Sequence, residues 1–272
     1  MPVALVWVVR AALTGLMFVY FGVGSLLLSW VILPWLCRGE RTPAERARVA
    51  QAVVCRGFRQ FHALMRWARL VDFDPRTADV RLPPGPCVVI ANHPTLVDIT
   101  AVLAVMGEGA IVVRSGLFRS PFVGRLLRYC WNIDAGEGGA MAGAAVVQGA
   151  VERIEAGLRV VIFPEGTRSP VGSLRRFHPG AFEIAQRAGV PLVPLFITCD
   201  PPTLMKGVPW YALPKERSIL RVETMALSAE RGAGEAGRLF AREVQRMYEA
   251  RLSAWKAGRR SEAPGTGAGA AH

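Results

Sequence analysis

Beyond Asp72 the chain alternates between short apolar runs and longer segments in which apolar residues recur at helical spacing. The strand-like runs are residues 87–91, 110–114, 159–163, 192–198 and 219–223. The helix-like segments lie near residues 97–106, 121–130, 141–156 and 180–188. Because two parallel strands need a crossover connection between them, this order predicts an α/β domain with a largely parallel central sheet flanked by helices.

Two polar motifs directly follow two of these strand-like runs. Asn92 and His93 come after the first run, and Asp98 stands five residues beyond the histidine. Glu165 comes directly after the third run, within the segment Phe163-Pro164-Glu165-Gly166-Thr167-Arg168. Ligands of parallel sheets bind beyond the carboxyl ends of the strands, so we expect both motifs in one cleft.

A histidine oriented by a carboxylate is suited to base catalysis. If Asp98 accepts one ring N–H of His93, the tautomer is fixed and the other ring nitrogen is free to take a proton from a hydroxyl. The same pair also occurs as a hydrogen-bonded core histidine, so the spacing alone leaves both interpretations open.

The chain resembles the glycerolipid acyltransferase family, whose bacterial members include the lysophosphatidate acyltransferases, over about residues 86–222. The matching blocks are Asn92, His93 and Asp98; Leu117, Pro121, Phe122 and Gly124; residues 163–169; and residues 190–195. The resemblance implies a glycerol-3-phosphate acyltransferase-like fold. It also implies that His93, held by Asp98, is the catalytic base in direct acyl transfer from a thioester to a lipid hydroxyl.

The second block departs from the family at its end, where Ala135 stands in place of the usual arginine. In the family that arginine is thought to grip the phosphate of the acceptor. Two possibilities follow: the acceptor is another hydroxyl lipid, or its phosphate is bound by Arg168 with a different partner such as Arg114 or Arg175. The predicted substrate-binding residues are Asn92, Arg114, Glu165, Gly166, Thr167 and Arg168.

Two roles are open for Glu165: ordering Arg168 and its loop, or accepting a hydrogen bond from the acceptor hydroxyl. We favour the first, because a carboxylate beside an anionic substrate needs a compensating partner. Pro164 and Gly166 are typical turn residues that would end the strand and let the backbone approach a ligand.

Residues 11–36 carry no charge, and a helix of that length, rising about 1.5 Å per residue, could cross a hydrocarbon core of about 30 Å. Arginines after this run outnumber the positive charges before it, which places the remaining chain in the cytoplasm. A helical hairpin that dips into one leaflet would also fit residues 8–70. Apolar residues within 50–68 recur at helical spacing with arginines largely off that stripe, which suits either an interfacial helix or a helix packed on the core.

The net charge of +12 is carried mostly by arginine, since the chain has only three lysines. Guanidinium groups bind phosphate in bidentate fashion, so the predicted partners are an anionic lipid membrane and acyl-CoA or acyl carrier protein as donor. No nucleic-acid module is recognisable, and nucleic acid is not expected. The five widely spaced cysteines predict packed thiols in a reducing compartment, and neither a metal site nor a cofactor other than the acyl donor is expected.

These observations divide the chain into an anchor with a basic amphipathic helix at 1–72, a catalytic domain at 73–257 and a disordered tail at 258–272. The resemblance implies an O-acyltransferase of the inner membrane, facing the cytoplasm, that acylates a lysophospholipid such as 1-acylglycerol-3-phosphate. Two alternatives remain open. One is an acyltransferase for an ornithine lipid, glycolipid or polyene lipid, and the other is a non-catalytic scaffold that binds acyl carrier protein.

Overall fold

The structure is a computed structural model that describes residues 3–39, 42–137, 140–227 and 237–262. Its strands are β1 Val71–Phe73, β2 Val88–Ala91, β3 Ala110–Val113, β4 Ile133–Asp134, β5 Val160–Ile162, β6 Leu192–Asp200 and β7 Ser218–Thr224. Its helices are α1 Val3–Leu27, α2 Leu33–Leu36, α3 Pro43–Trp67, α4 Asp98–Met106, α5 Ser115–Phe118, α6 Gly124–Tyr129, α7 Ala140–Glu155, α8 Gly180–Ala188 and α9 Gly237–Glu262. A π-helical turn at Leu28–Ile32 joins α1 to α2, and a 3-10 turn spans Pro75–Asp79.

In the described residues the strands form one sheet in the order β1-β7-β6-β2-β5-β3-β4. From β6 to β4 all neighbours are parallel, whereas β7 is antiparallel to β6 and β1 is parallel to β7. The predicted α/β fold with a largely parallel sheet is confirmed. Strands β1 and β4 were not predicted, because two or three residues at a sheet edge show no apolar period.

Helices cover both faces of the sheet, as a parallel sheet requires. Val89 and Ala91 of β2 pack in the core beneath α1, α3 and α4, whereas Val88 and Ile90 pack in the core beneath α7, α8 and α9. All four of these side chains are fully buried. Successive side chains of a strand point to opposite faces of the sheet. Because both faces are buried here, every residue of β2 is apolar.

The predicted apolar segment is helical throughout, and the stretch Leu5–Leu36 is long and apolar enough to cross a membrane. One face of it packs on the core of the α/β domain through residues such as Met17 and Leu33, which are buried. Its other face is exposed and almost wholly apolar, with Leu16, Val19 and Trp30 each more than half exposed. Exposed apolar area of this extent marks a surface that water does not normally cover.

Helix α3 settles the two interpretations of the basic amphipathic segment. It begins at a capping box in which Thr42 and Glu45 exchange side-chain and backbone hydrogen bonds. Its apolar stripe is buried against the core, including Val54 and Met65, while its arginines lie exposed. The segment is therefore a helix packed on the core, and its interpretation as an interfacial helix is wrong because the apolar face is already covered.

The predicted disordered tail begins too early. Helix α9 continues to Glu262, five residues beyond the predicted boundary at residue 257, and only 263–272 lie outside the described residues. Beyond residue 257, the Arg259 guanidinium pairs with Asp200 at 2.6 Å, which ties the last turns of the helix to the end of β6. The apolar spacing in the sequence also predicts a helix over residues 229–257, of which residues 229–236 fall outside the described residues.

His62 of α3 predicts how acid affects stability. Its Nε2–H donates to the Thr100 hydroxyl at 2.9 Å, because that hydroxyl gives its own proton to the Val97 carbonyl at 2.7 Å. Burial lowers the pKa of His62 to about 4. The unfolded imidazole titrates near 6.5, so the stabilisation is complete above that pH and is lost as pH falls toward 4, by about 3 kcal/mol in total.

The variant His62→Gln keeps a donor for Thr100 and removes the titrating group. Urea unfolding in detergent at pH 7 and pH 4 should show that the free energy of unfolding falls by about 3 kcal/mol less in the variant than in the unmodified protein. Equal losses in the two proteins would show that His62 does not carry the acid sensitivity.

Candidate active site

The side chain of Asn92, directly after β2, forms hydrogen bonds to the backbone of the neighbouring strand β6. The Asn92 amide donates to the Ile197 carbonyl at 2.8 Å and accepts from the Ile197 N–H at 2.7 Å, and Asn92 is only 3% exposed. Both polar groups of the side chain are engaged with backbone, so the expectation that Asn92 binds substrate is wrong. Its amide takes the place of the next backbone hydrogen bonds between β2 and β6 after Ala91, so the main chain can leave the sheet at this point.

His93 and Asp98 form the predicted pair. The His93 Nδ1–H donates to Asp98 Oδ2 at 2.8 Å, and Asp98 is fully buried at the first turn of α4. Thr95 holds the same carboxylate with its N–H at 2.6 Å and its hydroxyl at 2.5 Å. The Phe163 ring packs on the imidazole with centroids 4.5 Å apart. The ring orientation is thus fixed from two sides.

Burial raises the pKa of Asp98, while the hydrogen bonds from His93 and Thr95 oppose that rise. Three donors converge on the carboxylate, so it can accept all of them as an anion. A proton on Nδ1 of His93 leaves Nε2 as an acceptor, and 13% of the imidazole side chain remains exposed. The geometry therefore leaves Nε2 as a proton acceptor on an imidazole that is partly open to solvent.

Glu165 joins the two motifs, but through the backbone rather than through Arg168. Its Oε1 accepts from the His93 N–H at 3.1 Å and from the Ser169 hydroxyl at 2.7 Å. Its Oε2 accepts from the Arg175 N–H at 2.8 Å. The Ser169 N–H in turn donates to the His93 carbonyl at 2.7 Å. Glu165 is 3% exposed, so its geometry fits the ordering of the loop and leaves no free oxygen for an acceptor hydroxyl.

The loop after Glu165 carries four cationic side chains around it. The Gly166 N–H closes a turn on the Phe163 carbonyl at 2.9 Å, and Gly166 adopts a φ of +66°, which favours glycine. The cationic contacts are Arg114 Nη2 to the Gly166 carbonyl at 3.3 Å, Lys206 Nζ to the Thr167 hydroxyl at 3.0 Å, Arg168 Nη1 to the Leu204 carbonyl at 3.1 Å, and Arg175 Nε to the Arg168 carbonyl at 3.3 Å. Within the part of the chain that the structure describes, none of these four forms an ion pair with a carboxylate.

Lys206 is not among the predicted substrate-binding residues. It belongs to the connection between β6 and β7, 39 residues from Thr167, and no motif or strand end marks it. Arg114, Arg168, Arg175 and Lys206 all contact this loop or its neighbour Leu204, and their binding of an acceptor phosphate stays a prediction.

The sheet register shows where Ala135, which occupies the position of the family's arginine, lies relative to Arg114. Val113 pairs with Asp134, and the Ala135 N–H continues the ladder to the Val113 carbonyl at 2.8 Å. Arg114 and Ala135 therefore lie side by side at the carboxyl ends of β3 and β4. A guanidinium on Arg114 lies one strand away from the position of the family's arginine.

In the described residues no group of three or more His, Cys, Asp or Glu side chains is placed to hold a metal ion.

Comparison with known proteins bears on this site. A family model described as Acyltransferase matches residues 76–198, which include His93, Asp98 and the Glu165 loop. Residues 76–198 are thus similar in sequence to that family. The resemblance predicted from the sequence is thereby confirmed.

Relatives of this domain carry a consistent name. The chain is 30% identical over 145 residues to a chloroplast 1-acyl-sn-glycerol-3-phosphate acyltransferase of Brassica napus, covering 50% of this chain and 42% of that protein. It is 33% identical over 163 residues to the human 1-acyl-sn-glycerol-3-phosphate acyltransferase beta, covering 59% and 55% of the two chains. The chain thus spans about half the length of these curated relatives.

A solved structure shares the fold. The crystal structure of the 1-acyl-sn-glycerophosphate acyltransferase of Thermotoga maritima superposes with a TM-score of 0.65 at 21% identity, covering 90% of this chain and 97% of that one. The similarity extends beyond the family-model match, over nearly the whole chain.

The Glu165 network predicts a large effect of a small change. In Glu165→Gln one carboxylate oxygen becomes an NH₂ group that faces a backbone N–H of His93 or Arg175. Leaving a buried donor unsatisfied costs about 1–3 kcal/mol, and more at a charged group, so we expect the free energy of unfolding to fall by about 3 kcal/mol.

Glu183→Gln is the matched control, because Glu183 forms an exposed ion pair with Arg187 on α8. Its loss should change stability by less than about 1 kcal/mol in the same urea titrations. Similar effects of the two substitutions would contradict the assigned role of Glu165.

Proposed function

We propose that this protein is a membrane-associated O-acyltransferase that moves a fatty acyl group from a thioester donor to the hydroxyl of a lysophospholipid, with 1-acylglycerol-3-phosphate as acceptor, in phospholipid synthesis. The observation that carries the proposal is the 2.8 Å bond between His93 and Asp98, beside a loop whose surrounding cations have no carboxylate partner among the described residues. The names of the relatives agree with it.

The chemistry follows from the free Nε2 of His93. This nitrogen takes the proton of the acceptor hydroxyl while the hydroxyl oxygen attacks the thioester carbonyl carbon. The buried Asp98 carboxylate stabilises the imidazolium that forms. When the tetrahedral intermediate collapses, the carbon–sulfur bond breaks and the imidazolium returns its proton to the leaving thiolate. The products are an ester and a free thiol, with no acyl-enzyme on the route.

The cationic cluster supports a phosphate-bearing acceptor. Arg114, Arg168 and Lys206 are held by hydrogen bonds to backbone or hydroxyl oxygens, so little side-chain entropy is lost when they bind a ligand. Each retains further N–H groups that a phosphate dianion can accept from. Such a cluster beside His93 would hold the phosphate of a lysophosphatidate while its glycerol hydroxyl faces Nε2.

The docking of α1 supports a placement in one leaflet of the membrane rather than a span across it. Near its start, Arg10 donates to the backbone carbonyls of Arg69 and Glu216. Beyond its end, Trp30 and Ser29 donate to the carbonyls of Pro121 and Phe122. Both ends are thus tied to the same domain. The exposed apolar face can enter the bilayer alongside that domain, which we place at the cytoplasmic side of the inner membrane.

A different acceptor is the second candidate, and Ala135 is the observation that favours it. An acceptor without a phosphate, such as an ornithine lipid, glycolipid or polyene lipid, would not need the family's arginine at that position. The proximity of Arg114 to Ala135 and to the Gly166 carbonyl argues for the phosphate-bearing acceptor. A non-catalytic scaffold has no physical need for the buried His93–Asp98 pair.

Base catalysis by His93 predicts a specific loss. His93→Ala should lower kcat by a factor of about 10²–10⁴ while the near- and far-ultraviolet circular dichroism stays unchanged. The measurement is thiol release from acyl-CoA and from acyl-acyl carrier protein, with mass spectrometry of the lipid product. His178→Ala is the control, because His178 is an exposed histidine with no carboxylate partner in the described residues, and it should retain most of the activity. Near-normal turnover in His93→Ala would refute the proposed chemistry.

Phosphate recognition predicts an effect on the acceptor alone. Arg114→Ala should raise KM for 1-acylglycerol-3-phosphate about 10- to 100-fold, the value of one charge-assisted hydrogen bond, without changing KM for the thioester. Adding Ala135→Arg to that variant should recover part of the loss, because the two positions are neighbours in the sheet. The control is Arg119→Ala, which removes a guanidinium paired with Glu137. A preference for uncharged acceptors in the unmodified protein would favour the alternative.

A further inference from the structure

A second cationic site lies between the start of α3 and the short helix α6. It is a cavity of about 480 Å³, open to the surface, and is lined by Pro43, Arg46, Arg125, Arg128, Tyr129 and Trp131. We call it the arginine–aromatic pocket. It shares no lining residue with the candidate active site.

The pocket concentrates positive charge without neutralising it. In the described ranges of the chain, no carboxylate forms an ion pair with Arg46, Arg125 or Arg128. The Arg125 guanidinium lies over the Trp30 ring, 4.7 Å from its centroid, and 5.8 Å from that of Tyr129. Stacking on an aromatic face leaves the in-plane N–H groups of a guanidinium free for an anion.

One wall of the pocket is held in an unusual backbone conformation. Trp131 has a φ of 53°, at the position after the end of α6 where glycine is favoured. The N–H groups of Trp131 and Asn132 close the helix end on Arg128 and Leu127. A left-handed bulky residue costs energy that the surroundings must offset. Here the Arg153 guanidinium stacks 4.4 Å from the indole centroid and contributes to that compensation.

The pocket lies beside the end of the apolar helix. Trp30, which borders it through Arg125, is 57% exposed, and the nearby Val31 and Trp35 are about 60% exposed. Indole rings prefer the boundary between hydrocarbon and headgroups. With the exposed face of α1 in the bilayer, the pocket therefore lies at the level of lipid phosphates, and acyl chains bound there can run along Val31.

We propose that the arginine–aromatic pocket binds the phosphate of an anionic phospholipid of the surrounding leaflet, at a site separate from the acceptor site. The inference rests on the proposed insertion of α1 into the membrane. The charge chemistry alone would also suit free phosphate. The exposed apolar surface beside Trp30 favours a lipid, because acyl chains can contact that surface and free phosphate has no apolar part to do so.

Vesicle binding by the full chain tests the proposal. In vesicles of phosphatidylcholine with one third phosphatidylglycerol, Arg46→Gln/Arg125→Gln should bind about 30-fold more weakly than the unmodified protein, from about fivefold per arginine near an anionic surface. Arg242→Gln/Arg246→Gln removes the same charge from α9, on the opposite layer of the sheet, and should change binding less than about threefold. Equal losses in both pairs would refute a localised site.

Pure phosphatidylcholine vesicles separate the two proposals. Failure to bind them at all would overturn the membrane insertion of α1. Binding to them that does not increase when phosphatidylglycerol is added would overturn only the pocket.

Arginine footprinting of the unmodified protein keeps the test independent of variant folding. After phenylglyoxal treatment and peptide mass spectrometry, dioctanoyl phosphatidylglycerol in detergent should protect Arg46, Arg125 and Arg128 and leave Arg242 unprotected. Equal protection by inorganic phosphate at the same concentration would assign the pocket to a free anion. Protection by acyl carrier protein and not by the lipid would assign it to protein docking. Either result overturns the proposal, as does the absence of protection.

Discussion

The buried carboxylate of Glu165 is the constraint on which the site depends. It accepts the His93 N–H, while the Ser169 N–H returns a bond to the His93 carbonyl, so the ends of β2 and β5 are clasped across 72 residues of sequence. A buried carboxylate is tolerated only where donors surround it, and Ser169 and Arg175 supply the remaining ones. The same clasp positions the imidazole above Asp98 and the cationic loop next to it. The groups that we propose for catalysis and for phosphate binding thus share one rigid support.

The two faces of the sheet are covered differently. Helices α7, α8 and α9 seal one face of the sheet, where Tyr248 is fully buried and donates to the carbonyls of Ile90 and Leu195 on adjacent strands. The other face carries α3 and α4, and α1 lies on them with stacked contacts such as Phe21 to Phe58. In the proposed membrane placement, the bilayer contacts only this outer layer of α1. The strand ends that carry His93 are held by the core beneath it.

Sequence and structure agree where a single strong signal decides the outcome. The long buried runs around β2, β3, β5 and β6 were predicted to within two residues because apolar side chains on both faces leave no ambiguity. The His93–Asp98 pair was predicted from spacing, since five residues bridge a strand end and the first turn of a helix. The role of Asn92 was not predictable, because its partner Ile197 is 105 residues away and is a backbone group of no particular type. The contact of Lys206 with the loop was not predictable for a similar reason, because it depends on the path of the long irregular connection between β6 and β7.

The two cationic sites differ in how their guanidinium groups are held, and this difference suggests different tasks. At the active site, Arg114 and Arg168 donate to backbone carbonyls, which fixes their direction before a ligand arrives. Fixed donors suit an acceptor whose hydroxyl must meet Nε2 of His93 within a few tenths of an ångström. In the arginine–aromatic pocket, Arg125 lies on aromatic faces that constrain its plane but not its rotation within that plane. A headgroup that needs only to be retained, and not aligned for reaction, is served by that looser arrangement.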